Sequence, residues 1–116
     1  MHFVVIAIGS TTCPVAHIHW ASQRLTLLLT DMRLSKMIWT KDVKGTDLMY
    51  MNRLVSGKTS LSAEILEYEL KIIESMANRT KEQITIDLDL MQHDNLRYHI
   101  QDWPRPYIQQ LLPDIL

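Results

Sequence analysis

The sequence predicts an α+β protein of two layers, an antiparallel sheet with helices packed on one face. Three observations carry that expectation. The chain opens on a continuous, largely β-branched run, Phe3-Val-Val-Ile-Ala-Ile8, the pattern of a strand covered on both faces. Two later segments repeat apolar residues at three- and four-residue steps, which marks amphipathic helices. Around them lie apolar runs bounded by Gly, Asp and Ser that read as strands and turns. The resulting order, β-α-β-β-α-β, is that of a ferredoxin-like α/β sandwich.

Each element has its own warrant. Residues 3–8 make the first strand, closed by Gly9-Ser-Thr-Thr12, and Pro14 suits the first turn of a helix. Ile18, Ala21, Leu25, Leu28 and Met32 then form an apolar stripe that predicts a helix over 15–31. Residues 34–40 read as the second strand. The stretch 41–49 carries Asp42, Gly45 and Asp47 without periodicity and reads as a loop. Residues 50–58 make a third strand that ends near Gly57. Ser62 is a suitable N-cap, and Glu64 complements the helix dipole in the first turn. Ile65, Leu66, Leu70, Ile73 and Met76 mark a second helix ending near Arg79. Residues 84–91 alternate around two aspartates and read as the fourth strand. Beyond them the chain looks loop-like through Asp102-Trp-Pro-Arg-Pro106, with a short helix over 107–112.

Composition narrows the function classes. A chain of 116 residues matches one domain, expected here to span 1–116. Twelve Lys and Arg stand against thirteen Asp and Glu, so the basic excess of a protein that coats nucleic acid or membrane is missing. The single cysteine, Cys13, cannot close an intramolecular disulfide, and a reducing, cytoplasmic setting is expected. The apolar opening is far shorter than the roughly 20 residues that span a bilayer and lacks the flanks of a signal peptide.

The strongest chemical constellation is Thr85-Ile-Asp87-Leu-Asp89. On a strand, side chains two apart share a face, so both carboxylates point one way while Ile86, Leu88 and Leu90 fill the core. Two parallel carboxylates repel each other and lose hydration. A Mg²⁺ ion relieves both problems, since it takes one or two carboxylates together with phosphate oxygens. A wet strand face would also carry alternating aspartates, although Asp has poor strand propensity. Glu67, Lys71, Glu74 and Asn78 line one polar helix face, which reads as solvent-facing, with Glu67 and Lys71 a favourable pair. His17 and His19 do not share a helix face, and His93 and His99 lack ligand spacing, so no zinc site is expected. Cys13 has no evident base beside it and reads as an inert loop thiol. No glycine-rich phosphate loop of the Walker type occurs.

Read in order, Ile6-Ala-Ile-Gly-Ser10, Thr40, Tyr50-Met-Asn52, Thr59-Ser-Leu-Ser62, Ile73-Glu74 with Arg79, Thr85-Ile-Asp87-Leu-Asp89, His99 and Arg105-Pro-Tyr107 resemble the 6-hydroxymethyl-dihydropterin pyrophosphokinase (HPPK) family over nearly the whole chain. The resemblance implies a ferredoxin-like core and transfer of pyrophosphate from ATP to the pterin hydroxymethyl group, with release of AMP. It implies catalytic roles for Asp87, Asp89 and Arg105, with Asp87 and Asp89 holding two Mg²⁺ ions against the triphosphate. It places Glu74, Arg79, His99 and Arg105 near ATP, and Thr40, Tyr50, Asn52 and Tyr107 around the pterin, Asn52 reading its hydrogen-bonding edge and Tyr107 stacking on its ring. Phosphoryl-type transfer needs positioning and charge neutralisation more than a covalent nucleophile, which such a set supplies.

The chain also departs from the family pattern. Ile84 stands where the family usually has an arginine before the T-x-D-x-D strand. Only residues 80–84 link Arg79 to Thr85, where the family has a long basic loop that closes over the nucleotide. Lys81 is the available replacement for one cation. Two other readings therefore stand beside the enzyme: a non-catalytic HPPK-like nucleotide-binding or protein-interaction module, and a ferredoxin-like assembly domain with surface aspartates. Convergence of the Asp pair with Glu74 and His99 on one cleft would count against the last.

Overall fold

Strand β1 (His2–Ser10) lies mid-sheet because it buries side chains on both faces, Val4, Ile6 and Ile8 toward one layer and Val5 toward the other. The computed structural model describes residues 1–42, 45, 47–80 and 83–116. After β1 come α1 (Pro14–Leu25), β2 (Thr30–Leu34), β3 (Ile38–Lys41), β4 (Met49–Thr59), α2 (Ala63–Met76), β5 (Asp87–His93), β6 (Leu96–Arg97) and α3 (Pro106–Leu111). These strands form an antiparallel sheet in the order β2-β4-β1-β5-β6, with β3 also pairing β4. With β2 and β3 as two pieces of one edge, this is the ferredoxin-like arrangement.

Two cores sit on the two faces of the sheet. Ile18, Ala21 and Leu25 of α1 and Leu66, Leu70 and Ile73 of α2 pack on Val4, Ile6, Ile8, Val55, Leu88 and Leu90. On the other face Val5, Leu54 and Met91 meet Trp103, Ile108, Leu111 and Ile115. A six-residue helix such as α3 has little stability of its own. Burial of Ile108 and Leu111 contributes about 1.5–3 kcal/mol each and holds it in place. Trp103 is pinned by its indole N–H, which donates to the Tyr98 carbonyl at 3.0 Å, and by the Arg97 guanidinium 4.0 Å above its ring.

Several boundaries differ from the sequence expectation. Helix α1 stops at Leu25 rather than running to 31. The Leu27 and Leu28 N–H groups bond three residues back, and the Thr26 hydroxyl donates to the Gln23 carbonyl, so the helix tightens and ends. The expected strand 34–40 is two strands. At the break, Ser35 exchanges hydrogen bonds with the Leu54 backbone, and the Lys36 N–H turns to the Asp114 carboxylate. Helix α2 begins as expected at Ser62, whose hydroxyl accepts from the Ile65 N–H. It ends at Met76, and Asn78 takes φ 56°, a left-handed residue beyond the helix end. Ile65 and Met76 of the expected apolar stripe are exposed. Strand β5 begins at Asp87, not at 84, because the Ile84 carbonyl accepts from the Thr11 N–H and hydroxyl and so leaves the ladder. The expected helix over 107–112 begins one residue earlier, on Pro106, and β6 was not anticipated. The loop expectation over 41–49 falls partly outside the described residues, and Lys81 lies wholly outside them.

Candidate active site

The register of the central strands builds one end of the sheet into a pocket. Gly9 of β1 lies opposite Asn52 of β4 on one side and Asp87 of β5 on the other, and Ala7 lies opposite Asp89. Along β3, Ile38 pairs with Asn52 and Thr40 with Tyr50. Of these residues all but Ile38 surround a pocket on the sheet face away from α1 and α2. Its lining includes Thr40, Lys41, Asp42, Tyr50, Asn52, Arg79, Ile84, Asp87, Asp89, Asp102 and Tyr107. Gly9 forms part of the floor. A Cβ there would stand 3.5 Å from both Asn52 Oδ1 and Tyr50 Cδ1, so its absence leaves the floor open to a ligand.

Hydrogen bonds orient the polar groups. Asn52 is nearly buried, and its Nδ2 donates to Thr40 Oγ1 at 2.7 Å. That bond sets the amide so that Oδ1 lies toward Gly9. Burial raises the Tyr50 hydroxyl above its ordinary range, with Asp42 and Asp87 adding to the effect. Burial, then Asp102, pushes Tyr107 up to about 12, so its phenol stays protonated.

The Asp pair stands as the strand period requires. Asp87 and Asp89 share the pocket face, while Ile86, Leu88 and Leu90 are buried beneath. Loss of hydration, then the neighbouring Asp87, raises Asp89 to about 6, against opposing contributions from His99 and Arg79. Two crowded carboxylates of this kind are a donor set for a hard cation.

Glu74 corrects the reading of its helix face as solvent-facing. Its carboxylate is buried at the outer edge of β5, where its Oε2 accepts from the Leu88 N–H at 2.8 Å and from Arg79 Nη1 at 3.0 Å. There it takes the place of a neighbouring strand, since β6 pairs only with Gln92 and His93. Burial raises the Glu74 carboxyl, opposed by the Leu88 hydrogen bond and Arg79. Arg79 Nη1 also reaches Asp87 Oδ1 at 3.2 Å and so joins Glu74 to the pocket.

Around that edge a second groove opens, lined by Glu67, Leu70, Lys71, Leu88, Asp89, Leu90, Tyr98 and His99. Asp89 belongs to both cavities, and His99 Nε2 lies 3.9 Å from Asp89 Oδ1. Arg105 lines neither; its Nε donates to Asp102 Oδ1 at 2.8 Å, which places it behind the pocket wall. Sequence reasoning singled out neither Lys41 nor Asp102 for the site. The position of Asp102 three residues before Arg105 was the available signal for the latter.

The fold and these cavities define a ferredoxin-like α+β protein with an acidic, tyrosine-walled cleft that continues over a strand edge into a second groove. The chain belongs to the 7,8-dihydro-6-hydroxymethylpterin-pyrophosphokinase (HPPK) family, whose model matches residues 5–113. The activity of that family is a pyrophosphokinase step of folate biosynthesis. Among curated proteins no match to the chain is found. No helix among the described residues is long and apolar enough to cross a membrane.

Proposed function

We propose that the chain is a Mg²⁺-dependent pyrophosphotransferase that moves the β,γ-diphosphate of ATP to 6-hydroxymethyl-7,8-dihydropterin. The observation that carries this reading is the junction at Asp89, which lines both a pocket walled by Tyr50, Asn52 and Tyr107 and the adjoining groove beside α2. Thr40, Tyr50, Asn52 and Tyr107 are the pterin side. The Asn52 Oδ1 offers an acceptor to a ring edge, its Nδ2 being held by Thr40 and the Tyr50 carbonyl, and Tyr107 offers its face for stacking. The groove between α2 and the segment of Tyr98 and His99 is the nucleotide side.

The hydroxymethyl oxygen forms a bond to Pβ, the Pα–O–Pβ bridge breaks, AMP leaves with the bridging oxygen, and the hydroxyl proton is released. Asp87 and Asp89 fit Mg²⁺ by their hard oxygen donors and their crowding, and the ions when bound would neutralise charge on the triphosphate. The chain's own part is positioning. Arg79 is held between Glu74 and Asp87 with its guanidinium at the pocket wall. Lys41 stands on the opposite rim. His99 lines the groove beside Asp89 and faces the nucleotide side, while Arg105 serves through Asp102, which it holds at the pocket wall. A single domain in a reducing cytoplasm, with the free Cys13 as an ordinary thiol, fits this role.

One observation favours the non-catalytic module as a second reading. Ile84 lines the pocket, where an arginine would have supplied a phosphate contact. The deciding experiment follows AMP release from Mg-ATP with and without the hydroxymethyl-dihydropterin. Pterin-dependent AMP, matched by pterin diphosphate, is the expected result. Saturable binding of both ligands with no AMP would establish the module instead.

A further inference from the structure

At the other end of β1 three donor side chains meet that the pocket does not use. The first residue of β1, His2, and the last of β5, His93, bring their rings to a centroid distance of 4.4 Å. Asp94 follows at once, in the left-handed region (φ 52°) at the turn into β6. His2 Nδ1 lies 2.6 Å from Asp94 Oδ2, and His93 Nδ1 lies 3.9 Å from the same oxygen. One ligand atom from each residue falls within 4.8 Å of the others.

The surrounding hydrogen bonds prepare these atoms as ligands. His93 Nε2 is 2.9 Å from the Leu61 carbonyl oxygen. A carbonyl only accepts, so that nitrogen carries the proton and the Nδ1 lone pair is left facing Asp94 and His2. This is how metal-binding histidines are held in protein sites. Asp94 is fixed as well. Its Oδ1 accepts from the Phe3 N–H at 3.1 Å, and its own N–H donates to the Phe3 carbonyl at 2.7 Å, so the carboxylate is held with Oδ2 toward both rings. Oδ2 accepts the His2 Nδ1 hydrogen bond at 2.6 Å, and a metal ion would take the place of that proton. In a tetrahedral site with bonds near 2.0–2.1 Å, donors sit about 3.3 Å apart. The observed separations, from 2.6 Å to within 4.8 Å, bracket that value, so side-chain adjustments of up to about 1.5 Å would complete the geometry.

We propose that His2, His93 and Asp94 form a binding site for a divalent transition metal ion of the Zn²⁺ type, with a remaining position open to water. Two imidazoles and one carboxylate suit Zn²⁺ and not Mg²⁺, which takes oxygen ligands. The site is distinct from the pocket. Seven residue steps along β1 separate His2 from Gly9, roughly 23 Å at strand rise. An ion there would tie the start of β1 to the β5–β6 turn.

The test is a Zn²⁺ titration of the untagged full chain in competition with a chelating dye of micromolar affinity, together with thermal melts. One equivalent should bind and raise the melting temperature, and it should persist in the Asp87→Asn/Asp89→Asn chain. His2→Ala, at a partly exposed strand start, removes a direct ligand and should weaken binding by at least the roughly 10–100-fold that loss of a ligand's hydrogen-bond partner costs, and abolish the thermal shift. Asp94→Asn should act in the same direction. The proposal is overturned if the parent chain takes no Zn²⁺ from the dye, or if a His2→Ala/Asp94→Asn chain that melts cooperatively still takes its equivalent with unchanged affinity.

Discussion

Asp89→Asn should make the ligand-free protein more stable at neutral pH while removing the Mg-dependent ATP binding proposed for it. Burial and the charge of Asp87 lift the Asp89 carboxyl from its ordinary 3.8 to about 6 in the folded chain. In a fully enclosed site that difference would correspond to roughly 3 kcal/mol. The side chain keeps 38% of its exposure, so solvent screening reduces the figure to about 1 kcal/mol. The direction follows from linkage. Above about pH 6 the carboxylate is ionised in both folded and unfolded chains, and the folded state carries the whole penalty. Between about pH 6 and 3.8 the folded state binds the proton first, so the penalty fades as the pH falls. Below that window both states are protonated and no penalty remains. The asparagine chain should therefore melt about 4 °C higher than the parent at pH 8, and the gap should vanish near pH 3.5. Calorimetry of both chains across that range, with and without Mg-ATP, measures it. An asparagine chain that melts lower than the parent at pH 8 would refute the reasoning, because Asp89 would then be held by His99 and Arg79 more strongly than Asp87 repels it.

Two further substitutions probe the same network. Glu74→Leu leaves the Leu88 N–H without its acceptor and Arg79 with Asp87 alone and should cost about 1–3 kcal/mol in urea denaturation at pH 7. Glu74→Gln keeps an oxygen there and should lose less, so equal midpoints for the two variants would show that the hydrogen bonds contribute nothing. Ile84→Arg should raise ATP affinity about tenfold, the value of one charge-assisted contact. The Ile84 carbonyl is already fixed by Thr11, so the backbone should tolerate the change. Calorimetric titration with Mg-ATP reads it, and unchanged affinity in a folded variant would mean the side chain at 84 does not reach the phosphates.

What the sequence alone determined follows from local periodicity. A period of two places Asp87 and Asp89 on one face whatever the rest of the chain does, and the cap at Ser62 needs only the Ile65 N–H three residues on. The unbroken apolar run of β1 already required cover on both faces. The motifs of Tyr50, Asn52, Thr85 and the Asp pair were enough to indicate the family. Tertiary structure decided everything that depends on register and on strand edges. Glu74 reads as one more polar residue on its helix until α2 is laid beside β5, where the unpaired Leu88 N–H needs an acceptor. The stripe from Ile18 to Met32 could not reveal that the helix ends at Leu25, because Leu28 packs against the core and keeps the spacing after the backbone has left the helix. His2 and Asp94 are 92 positions apart, a pairing no spacing rule addresses. Only the antiparallel β1–β5 ladder, with Val4 opposite His93, brings them together, and the same ladder sets Gly9 beside Asp87 at its other end. Side-chain periodicity is a property of the backbone dihedrals and is written locally. Which donor meets which acceptor is set by long-range strand pairing, and it exists only once the sheet has formed.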